Sequence, residues 1–302
     1  MNWVSNMAHI PVLLNEVMAF CDPKPGEFVI DGTAGGGGYS RATLERLGGR
    51  GTLLALDWDV DMARRLRTEL KVFEREGSRV AVVQANFADI PEILRREQLP
   101  HANVLLLDLG FSSDQLEESG RGFSFERDEP LLMTYSDESE PVREILRRLN
   151  EGEIAEIIKE FGEERYARRI AYAIKLREKE APIMTSGELA RTVAAAVPKG
   201  YERGRIHSAT RTFLAFRIYA NHEFENLSTV LQELRTILVS GGRAAIVSFH
   251  SGEDRIVKEK FRGGVREGYL KLLVKKPIVA SAEEIVANPR ARSAKLRVAQ
   301  VL

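Results

Sequence analysis

Short apolar runs alternate with amphipathic stretches along the first third of the chain. "EFVIDGT" (27–33), "GTLLALDWD" (51–59), "SRVAVVQANF" (78–87) and "ANVLLLDLGFSS" (102–113) read as strands. Between them the apolar spacing turns helical, as from Asp61 to Arg75. Runs that are apolar on both faces and separated by helices predict a parallel sheet covered on both sides, an α/β fold.

The alternation stops after Ser113. Residues 114–140 are polar and irregular, and 141–197 are helical in pattern throughout. The spacing predicts a helix over 163–180 with Tyr166, Ile170, Ala173 and Ile174 on its apolar face. "TSGELARTVAAAVP" (185–198) opens on a Thr or Ser cap and stops at Pro198. Strand-like sequence returns with "GGRAAIVSFH" (241–250), "GYLKLLVKK" (268–276) and "AKLRVAQVL" (294–302). The expected organisation is a sheet domain over 1–113 and 205–302, with a helical domain inserted at 114–204.

Composition narrows the picture by exclusion. The 302 residues are 44% hydrophobic, ample for a large core, and Lys+Arg and Asp+Glu both number 44. With no net charge, any contact with nucleic acid has to come from local basic patches. Cys21 is the one cysteine, so neither a disulfide framework nor a thiolate zinc site is available. The histidines lack metal-ligand spacing, and no apolar run approaches a membrane span. The expected setting is soluble and cytoplasmic, with no metal and no membrane.

Candidate chemistry begins at "VIDGTAGGGGYS" (29–40), four glycines following an acid-ended strand. The dinucleotide fingerprint G-x-G-x-x-G fails in every register, and no lysine follows to make a phosphate loop. A tight structural turn needs one or two glycines, not four. Asp57 closes the next strand, 26 residues after Asp31, where a carboxylate accepts ribose hydroxyls. An NAD site uses a similar acid, so Asp57 alone does not decide. With the failed fingerprint, it favours S-adenosylmethionine. Phe87 and Asp108 end the third and fourth runs, where ligands of open α/β sheets bind. A carboxylate closing an apolar strand loses hydration unless something partners it.

Further blocks occur in order: "HIPVLLNEV" (9–17), "DGTAGGGGYS" (31–40), "DLGFSSDQL" (108–116), "RGFSF" (121–125), "FGEERYARRIA" (161–171), "HSATRTFLAFRIYANHEFENL" (207–227), "SFHSGEDRIVK" (248–258) and "NPRARSAKLR" (288–297). Together they resemble the bacterial 16S ribosomal RNA cytosine-N4 methyltransferase family, MraW, over nearly the whole chain. The resemblance implies a Rossmann-like class I methyltransferase sheet with an inserted helical substrate-recognition domain. It implies methyl transfer from S-adenosyl-L-methionine to the exocyclic amine of a decoding-region cytidine, with 16S rRNA of the small ribosomal subunit as partner and no DNA. Cofactor positions carry over onto Gly37, Gly38, Tyr39, Asp57, Phe87, Asp108 and Gln115. Three departures stand out: Tyr39 replaces a usual histidine, Leu132, Thr134 and Tyr135 alter "EPLLMTYS" (129–136), and Gly252 replaces a customary leucine.

Cytosine's amine is a weak nucleophile, so in-line positioning and desolvation carry much of such a reaction. Asp108 and the backbone of the 109–113 loop are the expected acceptors for the amine. His250 is a second catalytic candidate, set against a plain capping role, and the sequence leaves both open. A Ser251–His250–Asp254 hydrolase triad is not the expectation, since triads are spatial constellations and no G-x-S-x-G elbow occurs. Expected RNA contacts are Arg165, Arg168, Tyr172 and Lys175 on one helical stripe, Arg205 and Arg211, and Arg290 and Arg292. A different class of function, a ribosome-binding assembly module that keeps the fold without the activity, is the alternative.

Overall fold

A computed structural model describes residues 11–75, 78–110, 120–201 and 206–302. Its centre is a seven-stranded sheet built from β1 (Phe28–Asp31), β2 (Thr52–Asp57), β3 (Arg79–Gln84), β4 (Ala102–Asp108), β5 (Leu238–Ser248), β6 (Leu270–Leu272) and β7 (Lys295–Val301). The spatial order is β3-β2-β1-β4-β5-β7-β6. Strands β3, β2, β1, β4 and β5 pair in parallel, as their two-sided apolar runs predict. The last strand differs: β7 lies antiparallel between β5 and β6. Because β1 has β2 on one side and β4 on the other, the strand order reverses there. That reversal opens a crevice at the carboxyl ends, where such sheets bind ligands.

The chain divides into two compact units, Met1–Ser112 with Phe224–Leu302, and Ser113–Glu223. In the first, Val29, Leu53, Val104 and Val298 pack on one face of the sheet, and Ile30, Leu54, Leu105 and Ile246 on the other. Helices α1 (Leu14–Cys21), α2 (Gly38–Leu47), α3 (Val60–Glu69), α4 (Lys71–Arg75) and α5 (Ile90–Arg96) belong to it. The single helix expected from Asp61 to Arg75 is two, parted at Leu70.

The second unit is helical: α6 (Val142–Arg148), α7 (Glu151–Gly162), α8 (Ala167–Glu180), α9 (Ser186–Ala196) and α10 (Thr210–Ala220). Its end at Glu223 corrects the boundary expected at residue 204, because α10 packs on α7. Gly162 makes that packing close: a Cβ there would lie 2.5 Å from the Arg211 carbonyl oxygen. Helix α8 starts later than its apolar spacing suggested, since Glu163 turns left-handed (φ 51°) and ends α7. Its buried face is Ala167, Ile170, Ala171 and Ile174. Of the two possible caps on α9, Thr185 is the one used, in a capping box with Glu188. The departures at 132–135 pack within this unit. Thr134 is buried, and Tyr135 stacks on Phe123 with centroids 5.2 Å apart.

Back in the sheet unit, α11 (Glu223–Gln232) and α12 (Leu234–Ile237) precede β5. Helix α13 (Ser251–Arg266) follows β5, and α14 (Ala282–Ala287) comes shortly before β7. Gly252, in the first turn of α13, leaves room for the Phe224 ring, which any Cβ there would overlap. A leucine at that position needs a different neighbour.

Candidate active site

Two strand-end acids organise the glycine loop from below. Asp31 closes β1 almost fully buried; its Oδ2 accepts from the Ser40 hydroxyl at 2.6 Å and its Oδ1 from the Thr33 N–H at 3.4 Å. Burial pushes its pKa up to about 6. Asp57 closes β2, and its Oδ2 accepts from the Gly35 N–H at 2.8 Å and its Oδ1 from the Asp59 N–H at 2.9 Å. Burial again dominates, raising this carboxyl to about 7. Each Asp57 oxygen keeps a second lone pair for a ligand hydroxyl.

The four glycines have different jobs. Gly37 is left-handed (φ 76°), and a Cβ there would lie 2.6 Å from Leu66 Cδ1. Gly38 begins α2 against the Pro11 ring, with no space for a side chain. Both are glycines because the fold packs against them. At Gly36, by contrast, an added Cβ would meet nothing within 4 Å among the described residues, so this is where the loop is open to a ligand. Tyr39, an expected cofactor contact, turns its ring into the core, and its hydroxyl donates to the Val12 carbonyl. That leaves its backbone N–H, in the first turn of α2, as the group able to meet a ligand.

Asp108, at the end of β4, carries the largest electrostatic demand. Its backbone N–H donates to Thr33 Oγ1 at 2.6 Å, which ties the ends of β4 and β1 together. Its Oδ1 is buried without a hydrogen-bond partner among the described residues. Burial, with the nearby charges of Asp31 and Glu253, raises its pKa well above the usual carboxylate range. An orphaned buried carboxyl oxygen is destabilising by itself and marks a place where a ligand completes the bonding. Phe87 follows β3 in a short 3-10 turn capped by Asn86 and is half-buried beside Gly32. Gln115 lies outside the described residues.

His250 has the geometry of a cap. It is the N-cap of α13, where Nδ1 accepts from the Glu253 N–H at 3.4 Å, while Glu253 Oε2 accepts from the Phe249 N–H at 2.8 Å. Its Nε2 sits 3.0 Å from Glu253 Oε1 but outside hydrogen-bonding geometry. Thr33, Ser40 and Glu253 were missed in the sequence. Only Thr33 and Ser40 left a trace there, as hydroxyls flanking the loop that Asp31 anchors.

The residues expected to meet RNA separate into free and engaged groups. Arg168 and Tyr172 are exposed on α8, Tyr172 by 58%. Arg165 precedes the helix instead of lying on it, its guanidinium over the rings of Tyr166 (4.9 Å) and Tyr201 (4.7 Å). Lys175 is not available: its Nζ donates to the Leu146 and Leu149 carbonyls at 2.9 Å and closes the end of α6. Arg211 is held too, 3.1 Å from the Tyr201 hydroxyl and 3.9 Å from buried Glu164. Arg290, half-buried, and Arg292, exposed, belong to the sheet unit, in the turn before β7. Arg205 lies outside the described residues.

These groups fit a nucleoside with a positively charged tail. Asp57 offers acceptors for hydroxyls, Gly36 an unobstructed backbone, and Asp108 an unmet carboxyl oxygen that a cation favours in its ionised form. Similarity to known proteins agrees. Ribosomal RNA small subunit methyltransferase H of Anaeromyxobacter sp. (strain K) is 42% identical over 315 residues, covering 99% of both chains. The protein of that description from Trichlorobacter lovleyi is 41% identical over 310 residues, covering 97% of this chain and 98% of that one. Among solved structures, TrmN from Thermus thermophilus superposes with a TM-score of 0.45 at 11% identity, over 96% of this chain and 48% of that one. That likeness is too weak to bear on this chain's chemistry. The profile of the MraW methylase family matches residues 6–302, and the chain belongs to that family.

Proposed function

We propose that this protein methylates the exocyclic N4 amine of a cytidine in the decoding region of 16S rRNA, with S-adenosyl-L-methionine as methyl donor. The observation that carries the reading is the buried Oδ1 of Asp108, without a partner among the described residues, at the carboxyl end of β4 beside the glycine loop. The curated relatives, each described as a ribosomal RNA small subunit methyltransferase, supply the substrate class. S-adenosyl-L-methionine, when bound, supplies an electrophilic methyl group on a sulfonium.

The protein's own part is placement and electrostatics. Asp57 holds ribose hydroxyls while its backbone bonds keep Gly35 in place. Gly36 lets the nucleoside lie against the chain. Thr33 fixes the Asp108 backbone at the end of β4. Asp108 Oδ1 accepts a hydrogen bond from the cytosine amine, localises its lone pair, and holds the proton the amine sheds. The resemblance also assigns Asp108 to the cofactor.

A ribosome-binding module without activity has no use for this arrangement, because a partnerless buried carboxyl costs stability and returns nothing without a ligand. The small ribosomal subunit is the proposed partner and the cytoplasm the proposed location. Among the described residues no helix is long and apolar enough to cross a membrane. The test is nucleoside mass spectrometry of small-subunit RNA from cells with and without the protein. A methylated cytidine is expected to disappear with the protein, and an unchanged nucleoside profile sinks the reading.

A further inference from the structure

Strand β7 brings together cations that lie far apart in the sequence. Lys258 and Arg262 on α13, Lys275 just beyond β6 and Arg297 on β7 surround one groove, whose floor is Phe261, Leu272, Val274 and Val298. Strand β6 runs parallel to β5, because both are antiparallel to β7, and Lys275 lies three residues past the end of β6.

The charge balance here is one-sided. Asp254 accepts from Arg297 Nε at 2.7 Å and from Lys295 Nζ at 3.2 Å. Against the upward pull of burial, those two cations hold its carboxyl below the usual range. Lys258, Arg262 and Lys275 make no side-chain ion pair or hydrogen bond among the described residues. In a chain with no net charge, three unmatched cations around an apolar floor form a local field for a polyanion. Phosphates suit such a rim.

We propose that the cations around this groove hold phosphates of the substrate RNA backbone, a docking path on the methyltransferase unit itself. The inference rests on the proposed RNA substrate. Its test is the triple variant Lys258→Gln, Arg262→Gln, Lys275→Gln, which removes the charges but keeps unbranched polar side chains, together with the single reversal Lys275→Glu. Binding of a small-subunit rRNA fragment is measured from 50 to 200 mM salt. At about 0.7–0.9 of slope per phosphate contact, the triple variant should lose about 2–3 from the slope of log K against log salt and bind roughly tenfold more weakly near 0.1 M. Lys275→Glu should weaken binding in the same direction, and S-adenosyl-L-methionine affinity should stay at the parent value.

Parent RNA affinity and salt slope in both variants overturn the proposal. So does a loss of binding to phosphatidylglycerol vesicles with RNA binding intact, which assigns the groove to lipid headgroups. Failure of the underlying reading is seen separately, as absence of methyl transfer to RNA by the unaltered protein.

Discussion

The two units treat buried acids in opposite ways. In the helical unit Glu164 is fully buried and satisfied: both its oxygens accept from the Tyr201 hydroxyl at 2.9 Å, and Oε1 also accepts from the Tyr166 N–H at 2.7 Å. In the sheet unit Asp31 and Asp57 are buried with their pKa values pushed upward, and Asp108 Oδ1 has no partner among the described residues. One arrangement spends polarity on holding a shape. The other keeps polarity unmet and ready for a ligand. Stability and activity should therefore respond oppositely to substitution in the two places.

The largest contrast is expected at Asp108→Asn. Turnover should fall by at least about 10²-fold, the usual scale for a positioned proton acceptor, while the ligand-free melting temperature does not fall. A melting point several degrees lower with intact turnover would erase the difference between the units. Glu164→Ala should do the reverse and cost about 3 kcal/mol in urea unfolding, since it strips the partner from the Tyr201 hydroxyl and the Tyr166 N–H. A cost below about 1 kcal/mol would show the network to be ornamental.

Asp57→Ala should weaken S-adenosyl-L-methionine binding by about 1.5–3 kcal/mol in a calorimetric titration. Unchanged affinity would place the nucleoside elsewhere. The same carboxyl sets a pH dependence. Its folded pKa, about 7, is raised above the unfolded value near 4, so its contribution to stability is fully present below about pH 4 and lost as pH rises through 7. Hydroxyl donors prefer the ionised form, so affinity should rise about tenfold from pH 6 to 8, and Asp57→Asn should flatten the rise. The smallest effect separates two neighbours on α8. Arg168→Ala should lower the RNA salt slope by about 0.7–0.9, whereas Lys175→Met should leave it alone and cost about 1 kcal/mol of stability. Equal salt slopes in both variants would return Lys175 to the docking surface.

What the sequence disclosed was whatever is local. Strands β1 to β4 stand out because each is a run of apolar residues bounded by turn formers, and Thr185 announces α9 by its spacing to Glu188. Asp57 and Asp108 were visible because acids at the ends of such runs are conspicuous. What stayed hidden depends on partners distant in the chain. Lys175 looks like any exposed lysine until the carbonyls of Leu146 and Leu149 are found beside it. Gly36 cannot be told from Gly37 and Gly38 until Leu66 and Pro11 fill the space at the latter two. Tyr39 sits in a binding loop by sequence, yet its hydroxyl bonds to Val12. The basic groove draws on residues 258, 262, 275 and 297, a spacing that matches no motif.

The position of β7 has a consequence for biosynthesis. Residues 295–301 form the strand that joins β5 to β6, so they are translated after everything they connect. The helical unit, contiguous from 113 to 223, emerges whole from the ribosome well before then and needs no later segment for its core. Up to that moment β6 has no neighbour, and β5 exposes an unpaired edge of the kind that recruits other chains. A nascent chain stalled before Lys295 thus carries a finished helical unit on an unfinished sheet, and chaperones have a defined edge to cover until the final strand arrives.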